Sequence, residues 1–137
     1  MTIASRFDFG DVLLVPFPFT DQSGTKKRPA VVVSIVDYNT SRRDIVIMAI
    51  TSQVRAPLGY GEAMVDDWRG AGLIKASVLK PVFSTIEQGL VMRVIRVIRV
   101  MGHLSAADLQ TLQRLLRNVP PQQNLWVHFG SGRFPIT

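Results

Sequence analysis

Apolar and polar residues alternate along the first half of the chain in blocks of strand length. Asp11–Phe19 (DVLLVPFPF) is apolar and β-prone, but its two prolines cannot donate ladder hydrogen bonds, so its second part reads as an edge or a strand exit. Thr20–Lys27 (TDQSGTKK) supplies turn residues. Pro29–Val36 (PAVVVSIV) follows, a continuous run rich in β-branched side chains that predicts a strand buried on both faces. A second polar turn, Asp37–Asp44 (DYNTSRRD), leads into a third strand at Ile45–Ile50 (IVIMAI), which ends in Thr51, Ser52 and Gln53. Three successive strands with short polar connections predict an antiparallel meander.

Beyond Val54 the pattern is broken by Pro57, Gly59, Gly61, Gly70 and Gly72, and only Glu62–Val65 reads as a short strand. Ala76–Phe83 (ASVLKPVF) predicts another, with Pro81 marking an edge or an irregularity. Val91–Met101 (VMRVIRVIRVM) repeats Arg-Val-Ile with a spacing that fits neither a strand nor a helix, and its β-branching tips the reading towards strand. A helix follows, with Ser105 as N-cap, Asp108 placed to reach back to it, and Leu104 able to staple against Leu109. Leu109, Leu112, Leu115 and Leu116 make its apolar face, Gln110, Gln113, Arg114 and Arg117 point away, and Pro120 with Pro121 stops it. The expected organisation is one mainly β domain with helices (α+β) over residues 1–121, followed by a tail, 122–137, to which the pattern assigns no structure.

Composition narrows the classes. The 137 residues are 47% hydrophobic, which suffices for one domain. The formal charge is +6, and it is unevenly placed. Residues 1–69 hold eight basic and eight acidic side chains, whereas residues 70–137 hold eight basic ones against only Glu87 and Asp108. A surplus of this kind suits a polyanionic partner, nucleic acid or an acidic protein segment, although a solvated basic surface accounts for it equally well. The absence of cysteine excludes disulfide frameworks, cysteine nucleophiles and zinc ribbons, and fits a reducing, cytoplasmic setting. No apolar run approaches the roughly 18–20 residues that span a bilayer, and the N-terminus lacks the pattern of a secretory signal, so no membrane association is expected. His103 and His128 lie far apart with no metal-ligand spacing, so neither metal nor cofactor is expected; His103 is better placed for a loop-to-helix hydrogen bond. Nucleophile-elbow, Walker and dinucleotide signatures are missing as well.

What remains is arginine and hydroxyls. Lys26, Lys27 and Arg28 precede the second strand, and Thr51, Ser52 and Gln53 end the third. If those strands pair antiparallel, Arg28 and Thr51 become neighbours. A guanidinium forks two hydrogen bonds to phosphate oxygens and a hydroxyl adds another. Without further information, however, Lys-Lys-Arg-Pro reads first as a solvated loop and Thr-Ser as a polar strand end.

Five segments then fall into a familiar order. Gly10-Asp11-Val12 with Val15-Pro16-Phe17, Arg28-Pro29-Ala30-Val31-Val32-Val33-Ser34, Ala49-Ile50-Thr51-Ser52-Gln53, Gly72-Leu73 to Pro81, and Gly102-His103-Leu104-Ser105 with its Leu-rich helix together resemble the MazF/PemK family of toxin endoribonucleases. The likeness covers roughly residues 9–117. It implies a small SH3-like β-barrel with a C-terminal helix, a homodimer, and metal-independent cleavage of single-stranded RNA. It also implies a cognate antitoxin whose acidic segment occupies the RNA site. The family's Arg and Thr carry over onto Arg28 and Thr51 as catalytic residues. Lys26, Lys27, Ser52, Gln53 and Lys80 are expected to bind substrate, with surface solvation an equal account of the lysines.

Two features depart from the family. Removing Val94–Arg99 (VIRVIR) restores a typical length, and this segment resembles a tandem duplication within a strand. Its even length preserves the facing of side chains downstream. The tail from Gln122 has no family counterpart. Two other functions fit the same fold: a toxin that binds and poisons DNA gyrase without cutting RNA, and a nuclease-dead RNA-binding module using Arg93, Arg96 and Arg99.

Overall fold

The apolar runs become strands, and the sheet they build is apolar on both faces. The computed structural model describes residues 7–16, 27–88, 99–118, 126–129 and 132–135. Six strands, β1 (Asp11–Pro16), β2 (Lys27–Val32), β3 (Asp44–Thr51), β4 (Ala63–Met64), β5 (Val78–Glu87) and β6 (Arg99–His103), form one antiparallel sheet in the order β4-β5-β3-β2-β1-β6. The first three make the expected meander; β5 then joins β3, and β4 is the outer edge beyond it. The sheet curls into a half-barrel, with helices α1 (Val36–Ser41) and α2 (Ala106–Asn118). A separate two-stranded ribbon, β7 (Trp126–Phe129) with β8 (Gly132–Pro135), ends the described chain.

Alternation along each central strand divides the core in two. Leu13, Val15, Ala30, Val32, Ile45, Ile47 and Ala49 meet Phe7 and Ile86 on one face. Val12, Val31, Met48, Ile50 and Leu79 meet Leu104 and Leu112 on the other, beneath α2. The helix buries the face its leucine spacing predicts: Leu112 is fully buried, Leu109, Leu115 and Leu116 pack around it, and Gln110, Gln113, Arg114 and Arg117 are exposed.

Ser105 caps α2, accepting the Asp108 backbone N–H at 3.2 Å. The Asp108 carboxylate does more than the cap requires. Its two oxygens accept the backbone N–H groups of Asp66 at 2.8 Å and Asp67 at 2.9 Å, and the Ser105 hydroxyl at 3.1 Å. A buried carboxylate thereby ties the 66–73 turn to the start of the helix. The same turn lies backbone to backbone on β6, for Gly72 has a φ of +81° and a Cβ there would strike the Met101 carbonyl oxygen.

Four expectations are corrected. The Pro29–Val36 strand begins earlier and ends at Val32, and Asp37–Asp44 is a helix followed by a bend rather than a turn. The cause is Asn39, whose buried amide donates to the Phe7 carbonyl at 3.0 Å and the Ser34 carbonyl at 3.1 Å while accepting the Ser34 hydroxyl. Those tertiary bonds stabilise a helical turn that its composition does not favour. The strand expected at Ala76–Phe83 runs on to Glu87, because β3 pairs with it down to Asp44↔Glu87. The Glu62–Val65 strand shortens to Ala63–Met64. Of the Val91–Met101 repeat, only Arg99–Met101 lies within the described residues and is strand; the rest, and Phe17–Lys26, lie outside them. Pro81 does mark an irregularity: between Met48↔Phe83 and Ala49↔Lys80, β5 bulges and Pro81 and Val82 have no opposite residue on β3.

Candidate nucleic-acid interface at the ends of β2 and β3

Strand register decides which of the candidate residues can act together. β2 and β3 pair Val32↔Ile47, Val31↔Met48 and Ala30↔Ala49, and the Val33 N–H donates to the Val46 carbonyl at 2.9 Å in the same register. The described pairing ends at Ala30↔Ala49; Arg28 and Thr51 lie two residues beyond it, each still within its strand, where a continued register would set them opposite each other. Opposed positions stand with Cβ atoms about 5 Å apart and share one face of the sheet. The face is that of Ala30 and Ala49, away from α2.

Two rows of residues cross this end of the sheet, and in them only Arg28, Thr51 and Lys80 are not fully buried. One runs Val15, Arg28, Thr51, Val78, from the pairs Val15↔Arg28 and Thr51↔Val78; the next runs Leu13, Ala30, Ala49, Lys80. Lys80 therefore lies diagonal to Thr51 on the same face, at the roughly 7–8 Å separation that a long side chain bridges. The β5 bulge starts at the next residue, and bulges re-aim the side chains beside them. Ala30 and Ala49, both fully buried, bring no bulk to the row beside the cation and the hydroxyl.

Arg28, Thr51 and Lys80 are half-buried, whereas Lys27, Ser52 and Gln53 are exposed. Lys27 pairs with Pro16 at the end of β1, so it borders the same sheet end. Ser52 and Gln53 leave that end directly after Thr51. Lys26 lies outside the described residues. The Thr51 hydroxyl oxygen accepts the Gln53 backbone N–H at 3.1 Å, a local turn that orients it and leaves its proton to be donated. Sequence reasoning missed this bond, although Thr-Ser-Gln at a strand exit is the composition for it.

His103 stands at the far end of β1 from this face, paired with Asp11. Its ring nitrogens lie 2.7 Å from the Leu104 carbonyl and 3.1 Å from the Phe9 carbonyl, so it joins β6 to the loop before β1 rather than a loop to the helix as expected. Burial pushes the neighbouring Asp11 carboxyl above the ordinary carboxylate value, against the Asp8 N–H bond and the nearby His103, which pull it down.

A curled six-stranded antiparallel sheet with a C-terminal helix packed on one face, and with a basic and hydroxyl-bearing strand end, is the MazF-like fold. It is similar to a chain of the MazE-MazF crystal structure from Deinococcus radiodurans, with a TM-score of 0.52 and 22% identity over 81% of this chain and 95% of that one. A comparison with curated protein sequences gives no match. The family model for the PemK-like, MazF-like toxins of type II toxin-antitoxin systems matches residues 8–119. The chain belongs to that toxin family.

Proposed function

We propose that the protein is a metal-independent endoribonuclease that cuts single-stranded RNA, with Arg28 and Thr51 at the scissile phosphate. What supports this reading is the β2–β3 ladder, paired as far as Ala30↔Ala49 and running towards Arg28 and Thr51, with Lys80 paired to Ala49 on β5 and Lys27 paired to Pro16 on β1. The ribose 2′-hydroxyl attacks the adjacent phosphorus and gives up its proton. The bond to the 5′ oxygen breaks, and that oxygen takes up a proton, leaving a 2′,3′-cyclic phosphate and a 5′-hydroxyl end. Charge grows on the non-bridging oxygens during this step. Arg28 forks hydrogen bonds to those oxygens and acts by electrostatic stabilisation rather than as a base. Thr51 donates its hydroxyl proton to one of those oxygens. Lys26, Lys27, Ser52, Gln53 and Lys80 hold the flanking backbone and bases.

The same basic face accounts for inhibition by an antitoxin carrying an acidic segment, and the active form is a homodimer in the cytoplasm. Among the described residues no helix is long and apolar enough to cross a membrane.

The test is cleavage of single-stranded RNA in EDTA, with 5′-end sequencing of the products. Wild type should cut at a short preferred sequence. Arg28→Ala should lose about 10²–10³-fold in rate or more, the usual cost of removing a group that stabilises developing negative charge, while its thermal unfolding stays like that of wild type. Undiminished cutting by Arg28→Ala removes this site. Inhibition of gyrase supercoiling without RNA scission, or salt-dependent RNA binding without product ends, would replace the enzyme with one of the two binding proteins considered above.

A further inference from the structure

The rows that hold Thr51 and Lys80 continue onto the edge strand. Val78 pairs with Thr51 on one side and with Met64 of β4 on the other, so Met64 extends the first row. Glu62 extends the second. The β4–β5 ladder pairs Ala63 with Leu79, and two residues further along Gly61 rests on Pro81, where a Cβ would come within 3.3 Å of the proline ring. Glu62 and Lys80 are the step enclosed between those two contacts. Leu79 belongs to the core beneath α2, so alternation across that step gives Glu62 and Lys80 to the other face, that of Ala49.

The turn that precedes β4 holds the carboxylate in place. The Glu62 N–H donates to the Gly59 carbonyl at 3.1 Å, and the Gly59 N–H donates to Glu62 Oε1 at 2.8 Å. One oxygen is thereby engaged, and among the described residues no ion pair joins Glu62 to Lys80. A half-buried acid beside a cation that does not neutralise it is repelled by any phosphate the cation attracts. What it accepts is an uncharged donor, and the exocyclic amino group of a base is one. Unpaired bases are read along such edges, and adenine and cytosine carry an amino group where guanine and uracil carry oxygen.

We infer that Glu62 is a specificity-determining residue, whose free carboxylate oxygen accepts the amino group of an adenine or cytosine flanking the cut and repels the oxygen of a guanine or uracil there. β4 lies about 5 Å beyond β5, which sets this contact outside the scissile phosphate, at a neighbouring nucleotide. The inference rests on the endoribonuclease reading and adds to it the class of base selected at one position.

The test is cleavage of a randomised single-stranded RNA pool in EDTA with 5′-end sequencing, by the full chain as wild type, Glu62→Gln and Glu62→Ala. Gln keeps an oxygen for the Gly59 N–H and presents an amide donor in place of the free oxygen, so it should exchange the preference. At one position beside the cut, wild type should favour A or C by about tenfold or more, Glu62→Gln should favour G or U, and Glu62→Ala neither, with the rest of the preferred sequence unchanged. The same preference in all three proteins overturns the inference. So does a Glu62→Gln protein that unfolds like wild type and cuts no sequence, because the carboxylate then serves the reaction itself. Should the variants fail to fold, wild type alone decides: RNA with purine riboside, which lacks the amino group, in place of adenosine at that position should be cut about tenfold more slowly, and equal cutting overturns the contact. If wild type cuts no RNA, the nuclease reading fails by itself. The base contact is then read by fluorescence anisotropy, where oligo(A) and oligo(C) should bind wild type more tightly than oligo(U) and Glu62→Gln should reverse the order; an unchanged order rejects it.

Discussion

Asp108 offers the sharpest test of how the two halves of the chain are held together. Its side chain is 1% exposed and accepts three hydrogen bonds, two of them from backbone N–H groups of a turn some forty residues earlier. Asp108→Ala keeps the Ser105 cap, because that bond uses the backbone N–H of residue 108, but leaves the Asp66 and Asp67 N–H groups without their acceptor. Hydrogen bonds to a charged group contribute about 1.5–3 kcal/mol each. Both donors sit where water has some access, so a total of about 3 kcal/mol is expected rather than the upper sum. With a urea m-value of about 1–3 kcal/mol/M for a small domain, the midpoint should fall by roughly 1–3 M at unchanged m. Asp108→Asn should fall between wild type and Ala: one oxygen still accepts, while the amide nitrogen confronts the other N–H donor. Equilibrium urea unfolding followed by Trp fluorescence reads both variants, Trp68 lying in the tethered turn. A loss below about 0.5 kcal/mol for Asp108→Ala, within the range of ordinary surface substitutions, would refute the claim that this carboxylate carries the turn.

Two further outcomes follow from the same packing. Gly72→Ala combines a left-handed backbone with a Cβ driven into the Met101 carbonyl, so it should lose at least about 2 kcal/mol, read as a fall in thermal midpoint; a neutral result would mean that the turn is not seated on β6. For Asp11, burial raises the folded-state pKa above the ordinary 3.8, so its stability contribution is complete below that value and is lost as pH rises through the folded pKa. Asp11→Asn retains an acceptor for the Asp8 N–H and removes the charge. The stability of wild type relative to Asp11→Asn should therefore decline from about pH 3 towards neutrality, measured as paired melting curves; a gap that moves the other way would show that the opposing attractions outweigh burial.

Much of the architecture could be read from residue order because burial imposes a period. Val31 and Val32, or Met48 and Ala49, go to opposite faces and are both apolar, which is how a strand covered on two sides writes itself in sequence. The leucines of α2 were equally plain. The antiparallel β2–β3 pairing on which the candidate site depends was legible from the residues alone, whereas Arg28 and Thr51 as a working pair rest on the family likeness. Elsewhere distant partners overruled local preference. Asn39 stabilises a helix where its neighbours spell a turn, and no local pattern announces that Phe7 and Ser34 supply its bonds. Asp108 looked like half of a capping pair because the Asp66–Asp67 amides are remote in sequence. The tail's ribbon was invisible for a related reason: four-residue strands of mixed character need a docking strand, and β5 lies some forty residues away.

The pairing of β2 with β3 that runs towards Arg28 and Thr51 is a ladder of main-chain bonds, Val32↔Ile47, Val31↔Met48 and Ala30↔Ala49, and not a property of the connections on either side. Main-chain pairing is indifferent to most side-chain identities, provided the apolar rhythm survives. Changes of surface side chain or of loop length therefore leave the spacing between the two strand ends unaltered so long as that ladder keeps its register.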